Sequence, residues 1–182
     1  GRLALQEDLE SVLEEKQEAA DRQKAELRRQ AGELRSARLK AAHQLGREAE
    51  ALLRELGFKR PRLEIQLEAV KELGPQGDCS CRMTFAPNPG VPALPLNQIA
   101  SSGEMARVML ALKSVLAAVD ATPVLVFDEV DANIGGEVAT AVARLLGKLG
   151  EAHQVFCITH LPQVAAVAKN HYVVEKDQDA ET

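Results

Sequence analysis

The chain has 182 residues, 46% hydrophobic and 27% charged, which is enough apolar sequence for one sizeable core plus an appendage and excludes a wholly disordered chain. No run of about 18 apolar residues is present to span a bilayer, and the first thirty residues mix acids and bases where a signal peptide would be apolar, so a soluble, non-secreted protein is expected. A net charge of −5 excludes a uniformly basic nucleic-acid surface, and three cysteines, an odd number in a long chain, favour a reducing compartment over a disulfide scaffold.

Trp is missing and all eight prolines lie at or beyond Pro61, so the first third is built differently from the rest. The chain opens at Gly1 without an initiating Met, and a piece of a longer protein is the expectation. Residues 1–57 form the first expected unit. They hold no Pro and are dense in Ala, Leu, Glu, Gln, Lys and Arg, the strong helix formers. Leu13, Ala20, Leu27, Leu34 and Ala41 recur every seven residues, and Leu45, Leu52 and Leu56 continue the stripe. The spacing predicts a coiled-coil arm of roughly 80 Å; a long solvated helix, or a hairpin of two broken near Gly32, is the alternative. Its charge divides. Glu7 to Asp21 is mostly acidic, whereas Arg22, Lys24, Arg28, Arg29, Arg35, Arg38, Lys40 and Arg47 make the next stretch basic. Those bases either form a solvated outer face that sets partner choice in the coil or touch nucleic-acid phosphates.

Gly57 and Pro61 close the helix, and residues 58–182 form the second expected unit. Leu63, Ile65 and Leu67 alternate with polar residues, as do Cys79, Cys81, Met83 and Phe85, predicting two half-buried strands joined by a turn through Gly74, Pro75 and Gly77. Cys79 and Cys81 have no second ligand pair, so both are expected to be small core residues. His43, His153 and His171 have no partners visible in the sequence. From residue 100 the order reads helix, strand, helix, strand, helix, strand, the pattern of an α/β domain with a largely parallel sheet.

Three segments carry the chemistry. Ser101-Ser102-Gly103-Glu104 opens a helix with a capping box between Ser101 and Glu104, and a capped helix start is also an anion site. Val124–Phe127 reads as a parallel strand buried on both faces that runs into Asp128-Glu129-Val130-Asp131. The acids then sit at the carboxyl end of the strand, either as a metal and water-positioning pair or as solvated acids at a helix start. Gln154–Ile158 runs into Thr159-His160, and residues 137–149 give a helix of the right length for a βαβ crossover, so His160 shares the sheet edge with the acids.

In this order the three segments resemble the signature, Walker B and switch-histidine motifs of ABC-type ATPases. Phe127-Asp128-Glu129-Val130-Asp131 and the preceding coil resemble the SMC-like branch. Pro87-Asn88-Pro89-Gly90, Ile99–Glu104, Ile134-Gly135-Gly136 and the run from Ile158 to Ala166 resemble RecN-type bacterial DNA-repair proteins. The resemblance implies the C-terminal lobe of an ABC/SMC-type P-loop ATPase head, with ATP and Mg²⁺ as cofactors. It implies that Asp128 helps hold Mg²⁺ through water, Glu129 polarises the attacking water and His160 contacts the γ-phosphate. Ser101, Ser102, Gly103 and Glu104 would meet ATP on a second head. The implied partners are the N-terminal lobe of the same parent chain, a second head and DNA, in a bacterial cytoplasm close to the nucleoid. Ser102 stands where the signature usually has its first glycine, Gly135 stands where many relatives have an aspartate, and no G-x-x-x-x-G-K-[ST] occurs. The segment alone is expected to be inactive. The rival expectations are a head of another SMC-like or ABC ATPase, and a non-enzymatic coiled-coil scaffold.

Overall fold

The structure, a computed structural model, describes residues 2–175, with side chains from residue 9 onward. The acidic side chains of Glu7 and Asp8, and residues 176–182 of the expected second unit, lie outside the described residues. The elements run α1 (Arg2–Glu55), β1 (Arg62–Gly74), β2 (Gly77–Ala86), β3 (Leu94–Pro95), α2 (Ser102–Leu116), β4 (Val124–Phe127), α3 (Gly136–Leu149), β5 (Gln154–Cys157) and α4 (Pro162–Ala165). One compact unit combines residues 1–44 with 65–82, and another combines 45–64 with 83–182. No helix is long and apolar enough to cross a membrane among the described residues.

In the first unit α1 continues unbroken through Gly32, so no helical hairpin forms. A Gly inside a helix costs only about 1 kcal/mol relative to Ala, and the flanking helix formers absorb it. Leu13, Leu27 and Leu34 of the heptad stripe are exposed. The basic stretch is largely used within the chain. Arg29 lies 2.7 Å from Glu26 and 2.6 Å from Glu33, and its guanidinium, followed by the Gln30 amide, holds the Glu26 carboxyl down to about 2. Arg35 lies 2.9 Å from Asp78, and Arg38 donates to the Gln76 carbonyl at 2.5 Å, so these two fasten the turn between β1 and β2 to the helix. Gly77 takes φ +94 in that turn, a conformation open to glycine, with Leu34 packed against it. Among the described residues, Arg28, Lys40 and Arg47 have no hydrogen-bond or ion-pair partner.

In the second unit α1 ends in a Schellman turn. The Gly57 amide donates to the Arg54 carbonyl and the Phe58 amide to the Leu53 carbonyl, with Gly57 at φ +93. Phe58 then packs edge to face on Phe85 at 5.2 Å, in one core with Leu53, Leu63, Val108, Leu110 and Leu146. The alternation expected for β2 does not hold. Cys79 is buried but Cys81 is exposed, and Thr84 is buried beside Phe85 and Ala86. The strand passes from one unit to the other at Met83, and each has its own inner side. Thr84 and Phe85 pair antiparallel with Pro95 and Leu94 of β3.

The strands β4 and β5 pair in parallel, with Val124, Leu125, Val126 and Phe127 opposite Gln154, Val155, Phe156 and Cys157. The helix between them, α3, turns Ala139, Val142, Ala143, Leu146 and Leu149 inward at helical spacing. Leu125 and Phe127 are buried in that core, but Val126 on the other face is 67% exposed, Phe156 48% and Ile158 63%. The expected strand buried on both faces is therefore buried on one only, because the helical layer covers a single side. The expected last strand is absent among the described residues. Residues 171–175 carry no ladder, and Tyr172, Val173 and Val174 are exposed.

The link from α2 to β4 is held by polar groups. Lys113 Nζ lies 2.6 Å from Asp120, whose other oxygen accepts from the Thr122 hydroxyl at 2.7 Å and the Thr122 amide at 3.0 Å. The buried His153 donates from Nδ1 to the Thr122 carbonyl at 2.7 Å, a partner the sequence did not reveal. Lys113 first, then Thr122, holds the Asp120 carboxyl well below the usual carboxylate range. A depressed carboxylate contributes stability that is present above its unfolded pKa of about 3.9 and lost as pH falls through the folded value. In thermal melts from pH 7 to pH 2, Asp120→Asn is therefore expected to start less stable and to fall less steeply below pH 4. Parallel curves there would remove Asp120 from the acid response.

Candidate functional site

Because β4 and β5 run in parallel and in register, their carboxyl ends share one edge, with the Ile158 amide donating to the Phe127 carbonyl at 2.9 Å. Asp128 leaves β4 and His160 leaves β5 at this edge. The helix α2 begins there as well. Ser101 caps it, its Oγ accepting from the Glu104 amide at 3.3 Å, the first half of the expected capping box.

Gly103 is buried where α2 crosses the turn after β4. A Cβ there would lie 3.0 Å from the Ala132 Cβ and 3.2 Å from the Glu129 carbonyl oxygen, so a side chain would force the two backbones apart. Ser102 Oγ donates to the Glu129 carboxylate. Glu129 adopts φ +57, a left-handed conformation that costs a non-glycine residue roughly 1–2 kcal/mol, and it does so as an exposed carboxylate at a strand end. Asp128 is exposed beside it and takes no hydrogen bond from another described residue. A hard, free carboxylate next to a strand end fits Mg²⁺, which keeps several waters and takes one or two protein carboxylates besides phosphate oxygens. No cluster of three or more ligating side chains occurs among the described residues.

Asp131 is the residue the sequence reading passed over. It is 2% exposed, accepts from the Thr159 hydroxyl, and accepts from the His160 amide at 3.3 Å. The Thr159 oxygen in turn accepts from the Leu161 amide at 3.0 Å. The His160 ring is 71% exposed, with Nδ1 3.7 Å from the same Asp131 oxygen. Its backbone is thus fixed while its ring faces outward. Arg107 was also missed. It is half-buried, stacks over Phe58 at 5.3 Å and donates to the Ala132 carbonyl at 3.2 Å. Burial pushes its pKa down, and the nearby Glu104 carboxylate opposes this. Burial, with Asp131 and Asp128 adding, pushes the Cys157 thiol up to about 11, which leaves it protonated and unreactive at neutral pH.

The turn 128–131 therefore holds both halves of the edge. Its Glu129 meets the start of α2 and its Asp131 meets the end of β5, while Asp128 and the His160 ring remain largely exposed.

Comparison with solved structures gives the class. The fold matches the Smc head domain with a coiled coil and joint from Pyrococcus yayanosii, with a TM-score of 0.52, 21% identity, and coverage of 73% of this chain and 24% of that one. The chain therefore has an SMC head-like fold. Within it, the chain is 45% identical over 152 residues to the DNA repair protein RecN of Deinococcus radiodurans, 46% identical over 151 residues to that of Xylella fastidiosa, and 37% identical over 171 residues to that of Streptomyces coelicolor. These alignments cover 84%, 81% and 87% of this chain. The chain belongs to the RecN family. It spans between about a quarter and a third of the length of these relatives (27%, 27% and 30%). No family profile matches it.

Proposed function

We propose that this chain supplies the C-terminal lobe of an SMC-like ATPase head acting in DNA repair, with residues 1–57 as the arm toward the coiled coil and 58–182 as the lobe. The observation that carries the reading is the single edge at which the capped start of α2, the acids after β4 and the histidine after β5 meet. Two more features agree with it. A two-stranded parallel sheet with Val126, Phe156 and Ile158 exposed on one face is incomplete by the habits of parallel sheets, which bury both faces. The sequence also holds no phosphate-cradling loop with its lysine. A second lobe, bringing that loop and covering that face, would complete both.

In the complete head ATP would provide the phosphoryl group, and Mg²⁺, when bound, would supply positive charge against its phosphate oxygens. Asp128 would hold the metal's water shell. Glu129, extended from the turn at φ +57, would accept a proton from water placed in line with the phosphate. His160, held at its backbone by Asp131, would present its ring to the γ-phosphate. Ser101, Ser102, Gly103 and Glu104 at the start of α2 would face nucleotide on a second head, where backbone N–H groups and the helix dipole favour an anion. The residues of one lobe thus serve two nucleotides, and DNA repair, bacterial cytoplasmic location and action on DNA follow the family.

The test is equilibrium binding of a fluorescent ATP analogue to this chain, with and without a separately produced N-terminal lobe. A gain of at least about tenfold in affinity on mixing is expected, with ATP-dependent dimerisation. No gain on mixing would favour a non-enzymatic coiled-coil scaffold.

A further inference from the structure

We propose that Ser102 is a positioning residue for the Glu129 carboxylate, joining the start of α2 to the group that polarises water in the same head. The inference rests on the reading of Glu129 given above.

Four observations place Ser102 in that role. Its hydroxyl donates directly to the Glu129 carboxylate. The two segments that carry the pair are pressed together at Gly103, where a Cβ would lie 3.0 Å from the Ala132 Cβ and 3.2 Å from the Glu129 carbonyl oxygen, closer than ordinary van der Waals contact. Arg107, one and a half turns along α2, donates to the Ala132 carbonyl. The loop also closes on itself, the Ala132 amide donating to the Glu129 carbonyl at 3.0 Å. The backbones of α2 and the 129–132 turn are therefore fixed relative to each other, and among the described residues the Ser102 hydroxyl is the side-chain bond between that frame and the carboxylate.

A glutamate has three side-chain torsions, and an exposed one samples several rotamers. A hydroxyl bond to one carboxylate oxygen removes most of that freedom and leaves the other oxygen to accept from water. Glycine in this position, usual in the signature, has no such group. The serine therefore does more than lengthen the signature's contact surface. A single O–H donates once, so while Ser102 is bonded to Glu129 it is not the donor to a phosphate.

The two roles open to Ser102 separate in steady-state kinetics. A residue that contacts nucleotide equally in ground and transition states changes KM, whereas one that orients the catalytic carboxylate changes kcat. In the complete head, Ser102→Ala is expected to lower kcat about 5- to 10-fold with KM within about twofold. Ser102→Thr, which keeps the hydroxyl, should restore kcat to within about twofold. A readout without nucleotide accompanies this. In isotope-labelled chain, the Glu129 side-chain carboxyl resonance should move in Ser102→Ala and return in Ser102→Thr, while thermal midpoints stay equal because the site is exposed.

An unchanged or raised kcat, a raised KM with kcat intact, a carboxyl resonance that does not move, or failure of the Thr variant to restore kcat would each overturn the proposal. Glu129→Gln, run in parallel, separates this from the larger reading. Full activity in that variant removes the ATPase assignment of Glu129, whereas lost activity there together with a silent Ser102→Ala removes only the positioning role.

Discussion

Glu129→Gln in the complete head is expected to lower steady-state ATP hydrolysis by at least about 100-fold, the size of a general-base contribution, with nucleotide binding retained. The amide is isosteric with the carboxylate and still offers an oxygen to the Ser102 hydroxyl, so the geometry of the turn is kept and only the base is lost. With hydrolysis blocked, ATP-bound heads should accumulate as a dimer, visible by light scattering. A second substitution sharpens the assignment. Glu129→Gly removes the base as well, but relieves a side chain from φ +57, a conformation that glycine takes freely. Its thermal midpoint should therefore equal or exceed that of the parent while hydrolysis is lost, because the strain relieved is offset in part by the greater freedom of glycine in the unfolded chain. Stability kept in Glu129→Gly with hydrolysis lost would mark Glu129 as a residue held for chemistry at a cost in backbone strain. If Glu129→Gln turns over ATP at the parental rate, the water-polarising role belongs to another group.

Local rules made the frame of this edge legible and left its interior hidden. The Ser101 cap, the Gly57 helix end and the parallel pairing of Val124–Phe127 with Gln154–Cys157 follow from capping chemistry, glycine conformation and strand length, each readable over a few neighbouring residues. The arm was legible as a helix for the same reason, although sequence alone did not choose between one helix and two. What it did not reveal depends on residues distant in the chain. Asp131 was visible only as one more acid in a run, and its burial under Thr159, 28 residues later, exists only once β4 and β5 align. Arg107 sits at an ordinary position on an amphipathic helix, and its contacts with Phe58 and Ala132 reach residues far before and after it in the chain. The exposure of Val126 and Cys81 failed alternation and burial rules for a related reason. Those rules assume that a layer covers each face, and periodicity carries no information about which layers are present.

Asp131→Ala should cost both stability and, in the complete head, activity. The carboxylate is buried and takes bonds from the Thr159 hydroxyl and the His160 amide, so truncation leaves two donors without an acceptor in a site water reaches poorly. Each unmade bond of this kind costs about 1–3 kcal/mol, and a drop of several degrees in thermal midpoint is expected. The functional loss should exceed what the fall in stability explains. With the 159–160 backbone released, the exposed His160 ring loses an anchor that aims it, and kcat in the complete head should fall about 10- to 100-fold at temperatures where the variant is fully folded. Asp131→Asn separates the two contributions. Its amide oxygen can still accept from Thr159, so most of the stability should return, but the negative charge 3.7 Å from His160 Nδ1 does not. A variant that recovers its midpoint yet keeps a depressed kcat shows that the charge steers the histidine. Recovery of both would make Asp131 a structural acceptor and leave the aim of His160 to Thr159 and the strand.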